Sequence, residues 1–165
     1  MKEVLNAIYK NVSETTDYQA YIDLKDYCRE CMKTDVPLAL KYLKKLSNRL
    51  ETIIPTIEDI DKMRKMYSLH KAVLLAAAPY DFESYILYIE SNRDPEKKFY
   101  PPRRKALRPV VVALQALADD KLDLLAVSLP PGCGKTTLAI IYLTWLAGRL
   151  PDQPMLTGPP SNSSA

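Results

Sequence analysis

Apolar residues recur every three or four positions through the first part of the chain, and this spacing predicts helices. The clearest stretch follows Asp35, a candidate cap, and places six apolar residues on one face: Val36, Leu40, Leu43, Leu46, Leu50 and Ile53. A second stretch runs from Ile57 to Ala77 with the same spacing, and Thr56 and Asp59 before it resemble a capping box. Pro55 separates the two predicted helices.

Three further segments indicate helices around these two. Asp81, which follows Pro79, is a candidate cap for a helix with apolar positions at Phe82, Tyr85, Ile86 and Ile89. Lys2 to Lys10 and Tyr18 to Lys33 are weaker candidates. The pattern therefore predicts four or five helices in the first 94 residues.

The composition changes sharply towards the end of the chain. Glycine first occurs at position 132, and ten of the thirteen prolines lie from Pro95 onward. We therefore expect a helical domain over 1–94, a basic proline-rich linker over 95–108, and the truncated start of a P-loop ATPase domain over 109–165. The predicted fold class is an α-helical N-terminal domain followed by an incomplete P-loop α/β segment of strand, phosphate loop and helix.

The prediction of a P-loop segment depends on the order of elements within residues 109–165. Leu122 to Leu129 is a short apolar run that indicates a buried strand, and a second strand is expected to begin at Met155 to Thr157. Between them, a glycine-containing stretch leads into the apolar, helix-length segment Leu138 to Leu146. Strand, loop and helix in this order are what a phosphate-binding loop requires.

Each residue type in that stretch suits a nucleotide phosphate. Two glycines allow backbone N–H groups to turn inward, and the following helix N-terminus adds partial positive charge. Lys135 would bridge the β- and γ-phosphates, and Thr136 would be a ligand of Mg²⁺. The predicted ATP-binding residues are Pro131, Gly132, Cys133, Gly134, Lys135, Thr136 and Thr137. Leu129 departs from the strict pattern, which has a small residue there; an ordinary glycine turn is the alternative.

A longer run resembles a known family. From Phe99 to about Ser163, the stretch beginning "FYPPRRKALRP" and containing "PPGCGKTT" and "GRLPDQP" resembles the start of the ATPase domain of tailed-bacteriophage terminase large subunits. The resemblance implies an ATP-driven motor that packages double-stranded viral DNA into capsids in the bacterial host cell, working with a small terminase subunit and a portal ring, with homo-oligomers in the intact form. It also places Tyr100, Arg103 and Arg104 near the adenine.

Hydrolysis requires an acidic residue on a later strand, and Asp152 is the only carboxylate after Lys135. Because Asp152 follows the predicted loop helix directly, it does not suit that role, and no catalytic residue is assigned. We expect the chain to be the N-terminal piece of a longer ATPase that does not hydrolyse ATP alone.

Two alternatives remain open. One is a fragment of another P-loop ATPase, of the AAA type or a helicase loader; the other is a helical interaction module with a vestigial loop. The net charge of +3 favours neither nucleic acid nor membrane binding. No apolar run reaches the roughly 20 residues that span a bilayer, so a soluble cytoplasmic protein is expected.

Two features of the helical part invite chemical interpretations. Cys28 and Cys31 form a C-x-x-C, but without a second ligand pair they are better interpreted as small core residues on a helix. His70, the only histidine, lies on an apolar stripe and is expected at the core boundary.

Overall fold

The computed structural model describes residues 1–155 and 158, and this part of the chain is built from helices. It contains seven α-helices and two short 3-10 turns. The helices are α1 Lys2–Glu14, α2 Tyr18–Cys31, α3 Val36–Ile53, α4 Ile60–Ala77, α5 Phe82–Glu90, α6 Tyr100–Ala118 and α7 Lys135–Arg149, and the turns are Ile54–Thr56 and Pro95–Lys97. Five of the helices precede residue 95, as predicted.

Aspartate side chains start four of these helices. Asp35 accepts a hydrogen bond from the Leu38 amide at the start of α3, and Asp81 does the same for Ser84 in α5. Both caps confirm the predictions. The capping box at Thr56 is wrong: Asp59 caps α4, while the Thr56 hydroxyl donates to the Ile53 carbonyl within a 3-10 turn.

The buried residues divide into two clusters. The first core is formed by α1 to α4, which bury apolar faces against one another; its fully enclosed members include Leu5, Leu24, Leu43, Leu50 and Met66. The second core joins α5, α6 and α7 around Phe82, Tyr100, Leu107, Tyr142 and Trp145. The Trp145 indole donates to the Ala78 carbonyl at 2.7 Å, which ties α7 to the end of α4.

The predicted α/β class is wrong for the residues that the structure describes. Leu122 to Leu129 has no regular secondary structure, with a bend at Asp123, and belongs to no strand or ladder. Leu124 is 84% exposed, whereas Leu125 and Leu129 pack against the second core. The apolar run was rich enough for a strand, but a strand forms only where a second one accepts its hydrogen bonds. Of the second predicted strand, Met155 has no regular structure, and Leu156 and Thr157 lie outside the described residues.

The first half of α6 occupies much of the predicted linker. Pro101 and Pro102 stand in its first turn, where a missing N–H is tolerated, and Pro109 lies inside it. Because α5 belongs to the second core, the cores divide near residue 80; the division at residue 94 stays a prediction. None of the helices described is both long and apolar enough to cross a membrane.

Candidate functional site

The glycine loop, residues 131–137, makes a tight bend at 131–134 and continues into the first turn of α7. Gly132 has φ of 80° and Gly134 has φ of 89°, values that favour glycine because a Cβ would meet the backbone. The Cys133 amide donates to the Pro130 carbonyl at 3.4 Å, which closes the bend. The two predicted glycines are therefore the two positions at which the loop adopts left-handed conformations.

Helix α7 begins directly on the loop. Gly134 is its N-cap, and no side chain accepts a hydrogen bond from the first-turn amides in the described structure. Lys135, Thr136 and Thr137 are the first three helical residues, and all three are exposed. An uncapped helix N-terminus presents free N–H groups and a partial positive charge, which suits an anion.

Lys135 folds back across the loop. Its ammonium donates to the carbonyl of Leu129, so the charge lies over the bend. The Leu129 side chain packs against the second core, which gives a physical reason for a large residue at a position where the strict pattern has a small one. The backbone of Leu129, rather than its side chain, faces the lysine.

Phe99 lies against the loop, and the sequence interpretation did not single it out. A Cβ added to Gly134 would stand 2.2 Å from Phe99 Cε2 and 2.7 Å from Cζ, closer than atoms can approach. The Arg103 guanidinium lies 5.5 Å from the Phe99 ring centre. The signal was available in the resemblance, since the matching run begins at Phe99.

Two of the residues that the resemblance associates with adenine turn away from the loop. The Tyr100 side chain is buried, and its hydroxyl donates to Glu83 at 3.0 Å. Arg104 donates to Glu83 at 2.8 Å and to Glu51 at 2.9 Å, joining α3, α5 and α6. Burial and the neighbouring Glu83 raise the pKa of Tyr100. Of the three, Arg103 is the residue whose side chain lies over the Phe99 ring.

An apolar groove runs beside the loop between α6, the irregular segment Leu122 to Leu129 and α7. Its volume is about 420 Å³. Leu114, Val127, Leu138 and Tyr142 line it, with Lys135 and Thr136 at the loop end. The groove therefore joins an apolar wall to the residues with phosphate-binding chemistry.

Several basic residues lie in the first half of α6 and just before it. Lys97, Arg103, Lys105 and Arg108 are exposed, and Lys98 is half-buried. Arg104 differs from them because it is held by two carboxylates. This basic surface is on the same stretch of chain as Phe99.

Both cysteines of the C-x-x-C are core residues, as predicted. Cys28 and Cys31 are 0% and 3% exposed. Burial, with a smaller contribution from Cys31, raises the pKa of Cys28 to about 12, so its thiol stays protonated at neutral pH. Among residues 1–155, no group of three or more His, Cys, Asp or Glu side chains is placed to hold a metal ion.

His70 lies at the core boundary, as predicted. Its Nε2 is 2.9 Å from the Ser47 hydroxyl, which links α4 to α3. Burial lowers the pKa of His70; Glu51 opposes this effect and Arg104 adds to it. The imidazole therefore serves as a neutral hydrogen-bonding group between two helices.

Comparison with known proteins found no relative. No family model matches the chain, and neither the curated proteins nor the solved structures include a match.

Proposed function

We propose that the chain binds a nucleoside triphosphate, ATP with Mg²⁺, at the glycine loop. One observation carries the proposal: two left-handed glycines lead straight into an uncapped helix N-terminus that begins with Lys135 and Thr136. An ordinary glycine turn needs the glycines but neither the lysine nor the paired threonines.

In this proposal, the residues of the glycine loop contact different parts of the nucleotide. Gly132 and Gly134 offer backbone amides to phosphate oxygens, and the Cys133 amide exchanges its 3.4 Å hydrogen bond to the Pro130 carbonyl for one to phosphate. Pro131 leads into the bend. Lys135 exchanges the Leu129 carbonyl for the β- and γ-phosphates, and this exchange is favourable because phosphate carries full negative charge. Thr137 lies one residue further into α7 and serves the α-phosphate.

The loop also suits the Mg²⁺ that accompanies ATP. Thr136 is exposed in the first turn of α7, and its hydroxyl oxygen is the hard ligand that Mg²⁺ prefers. Bound with the nucleotide, Mg²⁺ neutralises phosphate charge. Hydrolysis is not part of the proposal, because Asp152 is the only carboxylate after Lys135 and it stands in the exposed turn beyond α7.

The wider role rests on the resemblance to terminase large subunits. We propose a DNA-packaging motor subunit, with the small subunit, the portal ring and double-stranded DNA as partners. The exposed basic side chains near the start of α6 support contact with DNA phosphates, and such contact would weaken steeply as salt increases.

A second candidate function has its own support. The first core closes around α1 to α4 without any residue of the glycine loop. A helical interaction module over residues 1–94, whose first core ends at Ala77, therefore remains a candidate that is independent of nucleotide.

Isothermal titration with Mg-ATP tests the proposal. We expect saturable binding to the full chain and at least tenfold weaker binding to Lys135→Ala. Lys121→Ala is the matched control, because Lys121 is also an exposed lysine and its ion pair with Asp119 is a surface one. Equal binding by the two variants, or none by the wild-type chain, would refute nucleotide binding at this loop and favour the helical module.

A further inference from the structure

We propose that Glu90 is a positioning residue for the glycine loop, acting through Phe99. The inference rests on the proposed nucleotide binding. Glu90 is the last residue of α5 and does not touch the loop itself. Its carboxylate sets the place of Phe99, and the Phe99 ring in turn occupies the space beside Gly134.

The Glu90 carboxylate is buried, and both of its oxygens accept hydrogen bonds from backbone amides. It is 1% exposed, and its two oxygens accept from the Phe99 and Tyr100 amides, each at 2.8 Å. Arg93 adds a contact at 3.4 Å. A buried charge is costly unless it is hydrogen-bonded, and these amides are orphan donors at the start of α6. Glu90 therefore fixes both the start of α6 and the backbone of Phe99.

The Phe99 ring is then held from two sides. Arg103, one turn later, donates to the Phe99 carbonyl at 3.1 Å and lies over the ring. The ring edge fills the volume that any side chain at position 134 would need. Since Gly134 supplies the left-handed bend before α7, the ring and the bend restrict each other's movement.

The contact with Phe99 orders the glycine loop before any nucleotide binds. A loop whose bend is already fixed loses less conformational entropy when a triphosphate binds. Without the Glu90 carboxylate, the Phe99 amide and ring gain freedom, and Gly134 loses the surface against which it rests. The affinity for nucleotide should fall although Glu90 contacts no phosphate.

Glycine-selective ¹⁵N labelling tests this directly, because the chain has only four glycines. Phe99→Leu removes the ring current and so marks where the Gly134 signal lies without the ring. In Glu90→Gln, which loses the charge and one acceptor, we expect the Gly134 signal to move towards that position while Gly148 keeps its own. Mg-ATP binding should weaken about fivefold, because one further side chain, Phe99, must then be ordered when the triphosphate binds.

Two further variants keep the test decisive. Glu96→Gln changes an exposed glutamate in the neighbouring turn and should leave every signal unchanged. Glu90→Asp keeps the charge but is one methylene shorter, so it should give an intermediate shift even if Glu90→Gln does not fold.

The failures are distinguishable. A Gly134 signal that stays in place in Phe99→Leu, or in both Glu90 variants, overturns the positioning role whether or not ATP binds. A wild-type chain that binds no Mg-ATP refutes the proposed function. The expected shifts of the Gly134 signal would then still support the conclusion that Glu90 holds Phe99 in position.

Discussion

The contact between Phe99 and Gly134 predicts that two similar glycine substitutions differ in cost. Gly132 and Gly134 have φ of 80° and 89°, and an alanine at either position would have to adopt this left-handed conformation. The strain should lower the free energy of unfolding by about 1 to 2 kcal/mol at both positions. At Gly132 the added methyl group meets nothing within 4 Å. At Gly134 it meets the Phe99 ring at 2.2 Å, and the ring must move.

The extra cost at Gly134 follows from displacing that ring. Phe99 is half-buried, packs against the second core and is held by Arg103, so its movement resembles overpacking, which costs about 1 to 3 kcal/mol. We therefore expect Gly132→Ala to lower the free energy of unfolding by about 1 to 2 kcal/mol, and Gly134→Ala by about 2 to 5 kcal/mol.

Urea denaturation followed by tryptophan fluorescence measures this difference. Trp145 is the only tryptophan and lies in the second core, so its emission reports the part of the fold that contains the loop. Phe99→Ala should remove most of the extra cost of Gly134→Ala, with a coupling free energy of about 1 to 3 kcal/mol in the double-mutant cycle. Equal losses for the two glycines, or additive losses in the cycle, would refute the contact.

Two further predictions concern the helical part. Because burial lowers the pKa of His70, the unfolded chain binds a proton at higher pH than the folded chain does, and the free energy of unfolding should fall as pH decreases through about 6.5 towards the folded-state pKa. In urea titrations, His70→Gln should reduce this dependence of the free energy of unfolding on pH between about pH 7.5 and 5.5. An unchanged pH dependence would contradict the buried imidazole. Ellman's reagent should react rapidly with Cys133 in the native chain and with Cys28 and Cys31 only after urea is added. Rapid labelling of three thiols in the native state would contradict the core assignment.

Local sequence signals predicted the helical part well. Apolar spacing found α3 and α4, and Asp35 and Asp81 were correctly assigned as caps because a cap depends on neighbours within one turn. The error at Thr56 is also local: the 3-10 turn Ile54–Thr56 uses that residue, and the cap of α4 lies three residues later, at Asp59. Burial of Cys28 and Cys31 followed from their place on an apolar stripe.

The sequence by itself determined that a glycine bend leads into a helix, because both depend on residues close together in the chain. The helix begins at Lys135, three residues before the apolar segment from which it was predicted. Only the tertiary structure decided that Leu122 to Leu129 forms no ladder, since pairing depends on a second strand. It also decided that Phe99, which Glu90 holds by its amide, meets Gly134 across 35 residues of chain, and such contacts leave no periodic signal. They arise from the packing of α5, α6 and α7 around one core.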